Sequence, residues 1–106
     1  MEFPKTRPQA SNYTHPREGE VTTLSPPGFS WWRAGERGAC DYRLIVERDG
    51  TVIYTSPLVS DPIHVPTEVF PAGSYTWHVE ARVGDSVRSQ SPSRSFSVAE
   101  GAIDVT

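Results

Sequence analysis

Ten consecutive residues, Ser74 to Val83, constrain this chain most. Tyr75, Trp77, Val79, Ala81 and Val83 alternate with Thr76, His78, Glu80 and Arg82. A period of two puts the first set on one face of an extended strand and the second on the other. Wound as a helix, the same residues would scatter around the axis. The segment is therefore a half-buried β-strand. A strand of that length needs neighbours and a second layer to cover its apolar face.

The rest of the chain supplies them. Asp41 to Arg48 alternates again, with Tyr42, Leu44 and Val46 on one side. Asp49-Gly50 is a two-residue turn whose twist suits a hairpin, and Val52-Ile53-Tyr54 is the return strand. Gly84-Asp85 is a second hairpin signal. Val21 to Leu24, Phe29 to Trp32, Ile63 to Val65 and Phe96 to Val98 read as further short strands. Pro57 and Pro62 bracket Leu58-Val59-Ser60, which suits an edge. Ser86 to Ser95 reads as a serine-rich connection, and no stretch carries helical spacing. Eleven Val and four Ile against three Leu fit a pleated sheet, and eight Gly and ten Pro supply the turns.

These signals predict one all-β domain, an antiparallel two-sheet sandwich of about seven strands. Residues 1–20, with Pro4, Pro8 and Pro16, are expected to form an extended arm. Residues 21–98 form the sandwich and residues 99–106 a linker. The expected core is Phe29, Trp31, Tyr42, Leu44, Val46, Tyr75, Trp77, Val79 and Phe96.

Several function classes find no support. A net charge of -3 gives no basic surface for nucleic acid. No apolar run approaches the ~18 residues that span a membrane. Met1 to Lys5 opens no signal peptide, so an extracellular or periplasmic location would depend on a leader in a parent protein. Cys40 is the one cysteine, and His15, His64 and His78 have no ligand spacing, so no metal or other cofactor is expected. The serines lack a nucleophile-elbow motif and the carboxylates form no recognisable pair, so no enzyme activity is expected of this chain. Asn12-Tyr13-Thr14 matches a glycosylation sequon.

Trp31 on the second strand, Tyr42 on the third, and the run Val69 to Tyr75 resemble a fibronectin type III, immunoglobulin-like fold. The resemblance implies that Tyr75 is a tyrosine-corner residue, bonded back to the loop before it. Ser91 to Val98 resembles the closing strand of that fold.

A narrower resemblance follows from the order of four segments. His15-Pro16-Arg17, Pro26 to Trp31, Pro71 to Val79 and Ser95 to Val98 are similar to the amino-terminal sandwich of heparinase II/III-like polysaccharide lyases. Two positions depart from that pattern: Ser25 stands where Asn is usual, and His78 where Arg is usual. The resemblance implies a non-catalytic accessory module that docks on a catalytic body. That body would perform β-elimination on uronic-acid polysaccharides, with its base and carboxylate-neutralising groups downstream. None of those residues is carried over onto this chain. The partners implied are downstream domains of a parent protein and polysaccharide. Two alternatives stand beside it: a spacer or adhesion module of a cell-surface protein, and a free-standing carbohydrate-binding domain.

The candidate interaction face is Trp32, with Tyr54 as a weaker partner. Period two cannot bury Trp31 and Trp32 on one face, so Trp32 is expected on the outer surface. An outward indole is covered by the amino-terminal arm, packs into a neighbouring domain, or stacks on a sugar. Arg33, Arg37, Arg43 and Arg82 would favour an acidic polysaccharide.

Overall fold

A computed structural model describes residues 14–35 and 38–104. The described residues are all-β and contain no helix. Eight strands run in order: β1 (Glu20–Ser25), β2 (Phe29–Ser30), β3 (Asp41–Arg48), β4 (Thr51–Thr55), β5 (Ile63–His64), β6 (Gly73–Val83), β7 (Ser86–Gln90) and β8 (Arg94–Asp104). Six form one sheet in the order β1-β8-β6-β3-β4, with β7 beside β6. β2 and β5 form a second, smaller sheet.

The long alternation does what its period demands. On β6, Tyr75, Trp77, Val79 and Ala81 are buried, and only the hairpin-end Val83 opens to solvent. Tyr42, Leu44 and Val46 of β3 share that face, because Leu44 pairs with Val79 and Val46 with Trp77. Phe29 of β2 is the plug from the other sheet. Its ring meets Trp77 at 5.3 Å and Phe96 at 5.6 Å, both edge-on. Edge-to-face rings at this spacing add to the burial term. Each such side chain contributes roughly 1.5–3 kcal/mol of transfer free energy. All nine residues expected in the core are buried.

The two hairpins form where their turns predict. Asp49 and Gly50 both take positive φ, 54° and 79°, and join Arg48 to Thr51. Gly84-Asp85 joins Val83 to Ser86. The hydroxyl of Tyr75 donates to the Pro71 carbonyl at 2.5 Å, the bond expected of a corner tyrosine. Arg48 covers that corner, 5.2 Å over the Tyr75 ring and 3.3 Å from both the Tyr75 hydroxyl and the Ala72 carbonyl.

Five expectations are corrected. The second strand ends at Ser30; Trp31 lies beyond it, its ring buried against Tyr42 and its backbone N–H donating to the Pro62 carbonyl. Leu58 to Ser60 forms only a bridge, Val59 to Tyr42, because Pro57 interrupts the ladder. Ser86 to Gln90 is a strand despite its polarity, since the Gly84 turn lays it along β6. Residues 99–104 are not a linker: β8 runs on to Asp104 after a register shift beside Gly101, whose φ is 78°. The sheets are not wholly antiparallel, because β1 pairs β8 in parallel.

The arm explains that last point. His15 pairs with Ser30 of the small sheet, and Gly19 donates to the Ser95 carbonyl of the large one. The chain thus crosses between sheets before β1 begins. Pro16 is fully buried on the way, and its carbonyl accepts the Trp77 indole N–H at 3.2 Å. Glu18 clamps Ser95 through both the backbone N–H and the hydroxyl. Those bonds hold its carboxyl below the usual range. Residues 1–13 of the expected arm lie outside the described residues.

Candidate interaction surface

The two-stranded sheet has an inner face filled by Phe29 and an outer face that no other strand of the described residues covers. Ile63 pairs with Ser30, so these two share the outer face with His15 beyond. Ile63 is 60% exposed and Val65, two residues on, 56%. A Cβ at Gly28 would meet a Val65 methyl at 3.7 Å, so the glycine leaves that methyl uncovered on one flank. The Trp31 N–H to Pro62 carbonyl bond extends the ladder one step past Ser30. By alternation with buried Trp31, Trp32 leaves on the side of Ser30.

Trp32 is half-buried rather than open, and its indole nitrogen is shielded from solvent. Arg33 lies at the same end, 3.5 Å from Asp61. Tyr54 is not on this surface. It is 7% exposed, and its ring lies edge-on to Phe70 within the core. The reason is the bulge in β4: Val46 pairs with Tyr54 and Glu47 with Val52, so Ile53 is the extra residue and Tyr54 turns inward. Sequence alternation missed Ile63 and Val65. The run Pro62-Ile63-His64-Val65-Pro66 contains their signal, but it reads correctly only if the histidine faces in.

His64 does face in. Its Nε2 lies 2.7 Å from the Tyr54 hydroxyl, across the seam between the two sheets. Burial depresses the basicity of this imidazole. With the folded value lowered, the unfolded chain binds more protons in acid, so stability rises with pH. The contribution is complete above about pH 6.5, the ordinary imidazole value. It is lost as pH falls below that toward the lowered folded value. Urea midpoints should therefore fall more steeply between neutral pH and mild acid in the wild type than in His64→Gln. Parallel profiles would assign the acid sensitivity elsewhere.

The remaining candidates are dispersed. His78 sits on the outer face of the large sheet, 3.9 Å from Glu47. Arg82 pairs with Glu80 at 2.8 Å, and Arg43 is opposite Glu80 in the β3–β6 register. Among the described residues Arg33, Arg43 and Arg82 each lie beside a carboxylate. Arg37 and Asn12 lie outside the described residues. Cys40 is buried, with its thiol 3.6 Å from the Ala34 carbonyl. Among the described residues no three His, Cys, Asp or Glu side chains gather as a metal group. No protein-family model and no curated protein sequence matches the chain.

Proposed function

We propose that this chain is an accessory β-sandwich module of the fibronectin type III kind, within a larger carbohydrate-active protein. The parent would be a polysaccharide lyase similar to the heparinase II/III-like enzymes, and this module would dock on its catalytic body. The observation that carries the docking is the outer face of β2 and β5, where, among the described residues, Ile63 and Val65 lie more than half exposed on the side to which Trp32 leaves. A monomer gains nothing from an apolar sheet face left in water. The order of the four sequence segments and the Tyr75 to Pro71 bond support the family.

The native translation product carries the test. Antibody raised against the chain should detect a protein far larger than 11.7 kDa in its source. In that parent, amides of β5 should exchange more slowly than in the isolated chain. Ile63→Lys should change the stability of the isolated chain by no more than about 0.5 kcal/mol, the norm for an exposed site. In the parent it should abolish the added protection. A native product of 11.7 kDa would reject the module reading.

A further inference from the structure

β5 is tied down by few bonds. Its residues Ile63 and His64 pair with Ser30 and Phe29 of β2, and the Trp31 backbone N–H donates to the Pro62 carbonyl at 3.1 Å. Across the seam to β4 the tie is the Tyr54 hydroxyl, 2.7 Å from His64 Nε2, with the two rings stacked at 5.9 Å. The bridge of Val59 to Tyr42 precedes this stretch, and buried Pro66 follows it. Residues 60–65 are thus a short span between two anchors.

The cross-seam bond depends on the protonation of the histidine. A neutral imidazole with its proton on Nδ1 accepts the Tyr54 hydroxyl at Nε2; an imidazolium carries protons on both nitrogens and accepts nothing. Tyr54 is buried, and among the described residues its hydroxyl has no other hydrogen-bond partner. A proton on His64 therefore orphans the hydroxyl proton and brings a charge into the seam. No carboxylate is placed to meet that charge. From β4 the titratable group facing His64 is Tyr54; from β2 the residue opposite is Phe29, and Phe70 packs edge-on to Tyr54. Asp61 turns to Arg33, and Glu68 is exposed. Burial, rather than a charged neighbour among the described residues, depresses the basicity of His64.

We propose that Tyr54 and His64 form a proton-operated latch, and that protonation of His64 lifts residues 60–65 off β2 while the large sheet stays folded. Lifting carries the imidazolium into water. In the open form the ring titrates near its ordinary value, about 6.5, and in the closed form below it. The open form therefore binds more protons in acid. Its population rises as pH falls below about 6.5, by at most about tenfold per pH unit, and levels off below the closed-state value. Above about pH 6.5 both forms are neutral and the latch stays shut. The inference is independent of any parent protein.

Native-state amide hydrogen exchange on the whole chain reads the latch. The Trp31 amide should lose protection between about pH 7.5 and about pH 5, on either side of the ordinary imidazole value. Sub-denaturing urea should leave that loss unchanged, because a local opening exposes little surface. The Val79 amide, held by the Ser91 hydroxyl in the core, should exchange only through the urea-sensitive global unfolding. His64→Gln still offers Tyr54 an acceptor but takes up no proton, and should flatten the pH response at Trp31. Tyr54→Phe should lower Trp31 protection already at neutral pH. Equal urea dependence at Trp31 and Val79 would overturn the proposal, since the whole domain would then open together. So would an unaltered pH response in His64→Gln, or full Trp31 protection in Tyr54→Phe.

Discussion

Trp77→Ala should remove most of the stability of this domain. The indole is 1% exposed at the centre of β6. It packs edge-on with Phe29 from the opposite sheet, and Arg94 lies 5.8 Å over its ring. Truncating a buried aromatic to alanine costs roughly 3–5 kcal/mol, from lost transfer energy and the cavity left behind. The change also orphans the Pro16 carbonyl, which accepts the indole N–H and anchors the arm. A domain of this size has only about 5–15 kcal/mol to lose. Urea unfolding followed by fluorescence of the other two tryptophans should show a midpoint near or below zero denaturant. Trp77→Phe keeps the burial and loses the hydrogen bond, and should cost about 1–2 kcal/mol. An unchanged midpoint in Trp77→Ala would reject the register of β6.

Ser25→Ala should cost far more than its one missing oxygen suggests. The Ser25 hydroxyl is buried and serves Phe70 twice: it accepts the Phe70 N–H at 2.8 Å and donates to the Phe70 carbonyl at 2.6 Å. Alanine leaves both backbone groups without a partner. Each buried orphan costs about 1–3 kcal/mol, so the pair should cost roughly 2–6 kcal/mol. The measurement is the same urea titration, with exposed Ser60→Ala as the reference near zero. Equal midpoints for the two variants would show that Phe70 finds other partners.

Ser25 is one of three serines that share a device. Each precedes a proline, and each is buried. Ser56 accepts the Leu44 N–H at 2.9 Å, and Ser91 accepts the Val79 N–H at 2.9 Å. Both also pair backbone N–H to the same residue's carbonyl. The proline that follows brings no N–H to a ladder, and at Ser56 and Ser91 the hydroxyl takes over as acceptor where the edge strand breaks off. In the sequence these dipeptides read as breaks between strands and nothing more. What makes them structural is the arrival of Leu44, Phe70 and Val79 from elsewhere in the chain.

The candidate surface shows the same division. The Trp31-Trp32 pair announces that one indole must leave the core, and Trp31 does take the core position. That the exposed apolar side chains are Ile63 and Val65, with Trp32 half-buried, depends on β5 reaching Ser30 across the domain. In the sequence Tyr54 stands at the end of a hairpin strand and reads as a surface partner. One extra residue in β4 reverses its side.

By itself the sequence determined what is local. Period two set the faces of β3 and β6, Asp49-Gly50 and Gly84-Asp85 set the hairpins, and the large residues on the inward faces named the core. Each of these rests on backbone stereochemistry and burial within a few neighbouring residues. Tertiary structure alone decided the parallel pairing of β1 with β8, the strand character of residues 86–90 and 99–104, and the partners of the three serines. Those segments are too polar or too short to specify a strand on their own. They become strands because a partner ladder is offered from elsewhere in the chain: β7 lies along β6, β1 along β8, and Ile103 and Asp104 along Leu24 and Ser25 of β1.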